Sequence, residues 1–216
     1  MAVWRKTVDL SDEAIVEEFR QTGDSTQFKS LVRRYQNRIY NAALRILGNQ
    51  DEAEEVTQDT FLKVHQGISG FRKEASFSSW IFRIAHNLCV DVVRTKQRRT
   101  GVKVVSFDPQ STQNEEDSLD PALSLSQIAD PLPSPAQKVD LEEQQLVIER
   151  TLQELPESQR TVVVLHDIEG FQYQEIADIV GTSVGTVRSR LHYGRLKMRE
   201  LLAPYFDNYG VQTASR

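Results

Sequence analysis

Apolar side chains recur every three or four residues along most of the chain, which is the spacing of helices that bury one face. The longest such run lies between residues 28 and 47 and comprises Phe28, Leu31, Val32, Tyr35, Ile39, Tyr40, Ala43, Leu44 and Leu47. Gly48-Asn49 predicts the end of this helix, because glycine adopts the positive φ of a C-cap at little cost. Asp51 begins a second predicted helix. Ser76 can cap a third, whose apolar face carries Trp80, Ile81, Ile84, Leu88 and Val92.

The helical spacing of residues 9–100 is lost in the next segment. Prolines occur there among Ser, Gln, Asn and Asp, at Pro109, Pro121, Pro131, Pro133 and Pro135. Such a composition buries little apolar surface and resists helix formation. Residues 101–137 are therefore predicted to be a linker that is flexible or ordered only on a partner, with a short element around residues 122–128 as an alternative.

Helical spacing returns at residue 138. Residues 141–155 predict one helix, which Pro156 ends. The β-branched run at residues 158–165 is interpreted as a buried helix rather than a strand, ended by Gly170. The predicted fold class is all-α, with two small helical domains at residues 1–100 and 138–216 joined by a long flexible linker at residues 101–137.

Two short helices around Gly181 have the layout of a helix-turn-helix. Apolar residues of the two helices form one face, namely Ile176, Ala177, Val180, Val187 and Leu191. Ser183 can cap the second helix. Arg188, Ser189, His192 and Arg195 project away from that face, where a recognition helix meets DNA. The alternative is a solvated basic face on a structural helix.

The net charge of −5 does not argue against a nucleic-acid partner. Most of the acidic excess lies between residues 104 and 150, where only Lys138 and Arg150 are basic, whereas both flanking domains end in basic clusters. The distribution of charge, rather than its sum, is what bears on DNA binding.

Other features predict a cytoplasmic protein without membrane insertion. The single cysteine, Cys89, excludes an intramolecular disulfide and fits a reducing compartment. The N-terminus has no signal-peptide pattern, and no stretch approaches the length of a membrane span.

No catalytic constellation is evident, so no enzyme activity, cofactor or metal is expected. Gly181-x-x-x-Gly185 lacks the Lys-Ser/Thr of a phosphate-binding loop. His86 and Cys89 are too few to hold a metal alone.

Several segments together resemble the extracytoplasmic-function (ECF) sigma factors. Leu155-Pro-Glu-Ser-Gln-Arg160, Asp167-Ile-Glu-Gly-Phe-Gln-Tyr-Gln-Glu-Ile-Ala177 and Val184-Gly-Thr-Val-Arg-Ser-Arg-Leu191 are similar to domain 4 of that family. Asp51–Leu62 and Phe71–Asn87 are similar to its domain 2. The resemblance covers most of the chain outside the first residues, the linker and the tail.

The resemblance implies a transcription initiation factor that binds core RNA polymerase and promoter DNA. By position, Glu55, Gln58 and Asp59 match the family's polymerase-facing motif. The loop at residues 70–76 and Asn87 match its pocket for a flipped base of the −10 element, which Phe71 could border. The implied −10 surface is Phe71, Ser76, Asn87, Asp91, Arg94, Arg98 and Arg99.

For domain 4 the resemblance implies binding to the −35 element and the polymerase flap. The −35 surface would comprise Arg188, Ser189, His192, Tyr193 and Arg195, with Arg195 on phosphate. Tyr193 departs from the arginine common in the family. The family also implies an anti-sigma partner that clamps the two domains.

Two other functions remain open at this stage. One is a helix-turn-helix regulator that acts without polymerase, and the other is a sigma-like interaction protein that sequesters an anti-sigma factor. Polymerase-dependent transcription separates them.

Overall fold

The computed structural model describes residues 10–71, 75–100 and 135–208. Within these ranges the chain is all-α, as predicted, with a 3₁₀ turn at Ile68–Gly70, a π-helical segment at Val164–Ile168 and no strand. The α-helices are α1 Asp12–Thr22, α2 Ser25–Leu47, α3 Gln50–Gly67, α4 Phe77–Thr100, α5 Pro135–Gln153, α6 Glu157–Val163, α7 Tyr173–Val180 and α8 Val184–Asn208.

Helices α1–α4 form the N-terminal domain, and their ends are set by local chemistry. Asn49 caps α3, its side chain accepting a hydrogen bond from the amide of Glu52 at 3.0 Å. Gly48, at φ 70°, ends α2 in the left-handed conformation, which confirms the predicted stop. Ser76 caps α4 as predicted, since its Oγ accepts from the amide of Ser79 at 3.1 Å.

Helix α1 was not singled out by the apolar spacing, although it buries Ile15 and Val16. It is held to α2 by Asp12. The Asp12 carboxylate accepts from Arg34 Nη1 at 2.7 Å and from the hydroxyl of Tyr35. This carboxylate and the two apolar side chains fix α1 against the longer helix.

Helices α5–α8 form the C-terminal domain. Helix α5 begins at Pro135, inside the predicted linker, because proline is tolerated in the first turn of a helix. The rest of that linker, residues 101–134, lies outside the described residues. The β-branched segment is helical as predicted, and Thr161, Val162, Val163, Val164 and Leu165 are buried.

The end of that helix carries a feature that apolar spacing did not predict. The amide of Glu169 donates to the carbonyl of Val164 at 3.0 Å, five residues back, so the last turn is π-helical. Gly170 follows at φ 79° and ends the element, as predicted.

Helix α8 crosses α6 at Gly194, where the two backbones approach closely. A Cβ atom at position 194 would lie 2.9 Å from Cγ2 of Val163, and Val163 is itself 2% exposed. Glycine is therefore required at this crossing by lack of space.

Candidate protein and nucleic-acid interfaces

The two helices around Gly181 form the predicted helix-turn-helix. Helix α7 starts with a reciprocal capping box between Gln172 and Glu175, and Gly181 provides its exit at φ 69°. Ser183 then accepts from the amide of Thr186 at 3.1 Å and caps α8. Val187 is 0% and Leu191 is 2% exposed, so the packing face of α8 is where the sequence predicts it.

Three of the predicted −35 side chains are exposed on α8. Arg188 and His192 are exposed one turn apart. Tyr193 is 48% exposed, and its ring meets the His192 ring edge-on at 5.4 Å between centroids. Ser189 is half-buried, and its hydroxyl donates to the carbonyl of Thr186 at 3.3 Å.

The Arg195 side chain forms an ion pair that the sequence did not predict. Its Nε donates to Oδ2 of Asp167 at 3.1 Å, and its Nη2 donates to Oδ1 of the same carboxylate. The Asp167 side chain is 13% exposed. A bidentate guanidinium–carboxylate pair of this kind ties α8 to the π-helical segment, and the role of Arg195 on phosphate stays a prediction.

Most of the predicted −10 residues share one surface of α4. Asn87, Asp91, Arg94 and Arg98 follow at spacings of four, three and four, and all are exposed, as is Arg99. They therefore form a continuous stripe along about three turns. Ser76 is exposed too, although its Oγ is engaged with the amide and hydroxyl of Ser79.

Phe71 belongs to the core rather than to this surface. It is 4% exposed, and its ring lies 5.8 Å from that of Phe77 and 5.2 Å from that of Trp80. The sequence did not predict this enclosure, and the role of Phe71 at the border of a base pocket stays a prediction. Residues 72–74 of the predicted loop lie outside the described residues.

The predicted acidic surface is present on α3. Glu55 and Gln58 are exposed, and Asp59 is half-buried beside them. The same face continues to Leu62, which is 59% exposed. Sequence reasoning missed Leu62, although its position three residues after Asp59 and four after Gln58 places it on that face. We name Glu55, Gln58, Asp59 and Leu62 the α3 face.

A groove of about 230 Å³ opens between α4, α6, α7 and α8 and includes His86, Arg94, Glu157 and Arg190. Burial, with the nearby charge of Arg190, lowers the pKa of His86 to about 4. Burial, followed by the charge of Glu157, raises the pKa of Cys89 to about 12. The imidazole is thus neutral and the thiol protonated, which makes Cys89 a weak nucleophile.

Two further observations bear on metal binding and on membrane insertion. Among the described residues, no group of three or more His, Cys, Asp or Glu side chains is placed to hold a metal ion. The described helices include none with the length and apolarity needed to cross a membrane.

Comparison with known protein families matches both domains. The family described as Sigma-70 region 2 matches residues 31–99, and that described as Sigma-70, region 4 matches residues 145–198. The ECF RNA polymerase sigma factor SigE of Mycolicibacterium smegmatis is 34% identical over 92% of this chain and 72% of its own. The ECF RNA polymerase sigma factor SigW of Bacillus subtilis is 33% identical over 83% of this chain and 91% of its own.

The fold is also found among solved structures. The sigma factor RpoE of Bartonella quintana, solved in complex with the anti-sigma factor NepR, superposes with a TM-score of 0.59. That match covers 82% of this chain and 96% of the other at 24% identity, and it concerns the fold alone.

Proposed function

Because the chain belongs to the extracytoplasmic-function group of the sigma-70 family of RNA polymerase sigma factors, we propose that it binds core RNA polymerase and directs it to promoters with −10 and −35 elements. The observation that carries this proposal is the coincidence of the two matched regions with two sets of exposed side chains. Region 2 contains the α3 face and the stripe on α4, and region 4 contains the helix-turn-helix.

The α3 face docks on a basic coiled coil of the polymerase largest subunit. Glu55 and Asp59 supply the charge, which orients the encounter and raises the association rate. Leu62, which lies between Asp59 and the C-terminal end of α3, supplies an apolar contact. Burial of an exposed apolar side chain against the polymerase slows dissociation more than a charge at the rim of the interface does. Leu62 therefore lowers the dissociation rate, whereas the two acids raise the association rate.

The stripe on α4 binds the −10 element. Asn87 offers an amide whose donor and acceptor suit the edge of an extruded base. Unstacking such a base costs a few kcal/mol. Arg94, Arg98 and Arg99 hold the phosphates of the same strand, and Asp91 lies within this surface. Ser76 fixes the start of α4, and Phe71 supports the adjoining turn from the core.

The outer face of α8 binds the −35 element. Arg188 lies in the N-terminal half of the recognition helix, where base edges in the major groove are closest, and its guanidinium can bind guanine bidentately. Ser189, His192 and Tyr193 flank it. The base preference follows from Arg188 and its neighbours, and Arg195, held by Asp167, lies nearly two turns later, toward phosphate.

The chain acts in the cytoplasm, where polymerase and promoter DNA are, and takes part in no catalytic step itself. Its regulator is an anti-sigma protein, a class that the related RpoE binds in the structure described above. The response it serves is a stress or envelope response.

Run-off transcription tests the proposal. Core polymerase with the chain should give discrete transcripts from fragmented DNA of the encoding organism, and core polymerase alone should give none of them. Binding of the chain to duplex DNA without any polymerase-dependent transcript would refute the proposal in favour of a regulator.

A further inference from the structure

Two side chains of α1 reach the start of α4 and the turn before it, although α1 lies outside the matched region 2, which begins at residue 31. Oε1 of Glu13 accepts a hydrogen bond from the amide of Phe77 at 3.4 Å. Nη1 of Arg20 donates to the carbonyl of Phe71, also at 3.4 Å. Glu13 and Arg20 are seven residues apart, so they project from one face of α1 about two turns from each other.

The contact of Glu13 completes the N-terminal end of α4. Phe77 is the first residue of that helix, so its amide has no acceptor within the helix. Oγ of Ser76 accepts from the amide of Ser79 at 3.1 Å, and the carboxylate of Glu13 accepts from that of Phe77. A negative charge is favourable at this end of a helix. The start of α4 is therefore fixed partly by a residue 64 positions earlier in the chain.

Helix α1 is itself held near both of its ends, so it can act as a rigid support. At its N-terminal end Asp12 accepts from Arg34 and from the hydroxyl of Tyr35. Near its C-terminal end the ring of Phe19 lies 5.7 Å from that of Phe28. The partners all belong to α2, the longest helix of the N-terminal domain except for α4.

The aromatic rings beside the two contact points form one cluster. The ring of Phe71 lies 5.8 Å from that of Phe77 and 5.2 Å from that of Trp80, and the rings of Phe77 and Trp80 are 5.8 Å apart. Tyr35 meets Phe77 edge-on at 5.4 Å, and Phe77 is 0% exposed. Closely packed rings cannot shift singly. A movement of Phe71 or Phe77 relative to α1 therefore also displaces Trp80.

The contribution of these two contacts is placement rather than stability. Both lie at the long end of hydrogen-bond distances, so each adds little to the free energy of unfolding. The residues that they hold are part of, or adjacent to, the predicted −10 surface, which includes Phe71 and Ser76. A surface that discriminates between bases must be held to within roughly 0.5 Å of its productive geometry.

We propose that Glu13 and Arg20 are positioning residues for the −10 surface. They hold Phe71 and the start of α4 against α1 and act on base preference through these residues. This inference rests on the proposed function, because −10 preference is a property of the polymerase-bound chain. The anchoring of Phe71 and Phe77 by α1 is measured separately from transcription.

Tryptophan fluorescence of the full chain measures the anchoring. Trp4→Phe leaves Trp80 as the only tryptophan. In that background Glu13→Ala and Arg20→Ala should each shift the emission to longer wavelength, because the cluster loosens and the indole gains contact with water. Glu13→Gln keeps an oxygen that can accept from the Phe77 amide and should keep the parent emission. Unchanged emission in both alanine variants would overturn the inference.

Glu18→Ala is the matched control, since it removes an exposed acid from the same helix. It should leave the emission of Trp80 unchanged. An equal shift in Glu18→Ala would show that any loss of charge on α1 moves the cluster, and would overturn the assignment to Glu13.

Run-off transcription from a promoter library randomised at the −10 element measures the consequence for base preference. Preference is a ratio between templates, so a variant that merely lowers the folded fraction of the chain does not change it. Glu13→Ala and Arg20→Ala should each lower the preference at one −10 position severalfold, whereas Glu13→Gln and Glu18→Ala should keep the parent value. Binding to core polymerase and preference at the −35 element should be unchanged in all four variants.

Two results of this experiment would overturn the positioning role. One is an unchanged −10 preference in both alanine variants, and the other is an equal loss of preference at the −10 and −35 elements. If the parent chain gives no transcripts, the proposed function fails and the positioning role fails with it. The emission of Trp80 would still show whether α1 anchors the cluster, so the two failures are distinguishable.

Discussion

Arg195 on α8 and Asp167 in the π-helical segment form a bidentate pair, with Nε donating to Oδ2 at 3.1 Å and Nη2 donating to Oδ1. This pair distinguishes Arg195 from Arg188, although the sequence places both arginines on one face of α8. Arg188 is exposed at the N-terminal half of the helix, whereas Arg195 is occupied by a carboxylate that is itself largely enclosed. Arg195 therefore packs α8 against the π-helical segment, whereas Arg188 is open to solvent.

The first prediction concerns this difference. Arg195→Ala should lower the free energy of unfolding by about 1–2 kcal/mol, because it leaves the Asp167 carboxylate without its guanidinium partner. Arg188→Ala should change it by less than about 0.5 kcal/mol, as expected for an exposed side chain. Urea denaturation of the full chain measures both. Equal free energies of unfolding for the two variants would show that the pair between Arg195 and Asp167 does not stabilise the fold.

The second prediction concerns the crossing of α6 and α8. Gly194→Ala should destabilise the chain by about 1–3 kcal/mol, because its methyl group would meet the buried Val163. Gly185→Ala is the control in the same helix, where the nearest atom is Oγ of Ser183 at 3.8 Å. It should be neutral or stabilise by up to about 1 kcal/mol, since alanine favours helix. Thermal unfolding compares them, and a neutral Gly194→Ala would contradict the close crossing.

The third prediction concerns pH. The folded chain lowers the pKa of His86 from 6.5 to about 4 through burial, so the unfolded chain binds more protons between these values. Stability should therefore fall as the pH is lowered from 6.5 to 4, by on the order of 2–3 kcal/mol from this residue. Glu157, whose pKa is raised by burial, contributes in the opposite sense.

The difference between the parent chain and His86→Gln isolates the histidine from Glu157, Arg94 and Arg190, which line the same groove. The free energy of unfolding of the parent chain, relative to that of His86→Gln, should decrease as the pH falls from 6.5 to 4. A difference that stays constant from pH 7 to pH 4.5 would show that His86 is not buried as a neutral imidazole.

The fourth prediction separates the two kinds of contact on the α3 face. Glu55→Lys with Asp59→Lys should slow association with core polymerase, and the effect should weaken as salt is raised. Leu62→Ala should mainly speed dissociation, with little dependence on salt. Leu146→Ala is its control, because Leu146 on α5 is similarly exposed, at 52%. Kinetic binding measurements would count against the assignment if Leu62→Ala behaved like Leu146→Ala.

The helices of this fold follow from local pattern to a large extent. Capping by Ser76 and Ser183, the glycine stops at Gly48 and Gly181, and the burial of Val187 and Leu191 are all visible in the sequence, because each depends on a few neighbouring residues. The exposed stripe on α4 follows in the same way from the spacing of its members.

What the sequence did not predict depends on contacts between distant residues. The pairing of Arg195 with Asp167 and the enclosure of Phe71 among Phe77 and Trp80 need the tertiary arrangement. The capping of α2 by Arg160 links residues 114 positions apart. A charged residue on a helix face is predicted to be solvated until its partner is placed, so the sequence alone does not show the ion pair of Arg195.

The most direct test of the account is run-off transcription from a promoter library randomised at both elements, with core polymerase and the full chain. Transcripts should be enriched for one −10 and one −35 sequence. Asn87→Ala should relax only a −10 position and Arg188→Ala only a −35 position, each by about 1–3 kcal/mol of discrimination. Glu55→Lys with Asp59→Lys should reduce all transcripts evenly. Absence of enriched sequences, or loss of preference at both elements in each of the two DNA-facing variants, would contradict it.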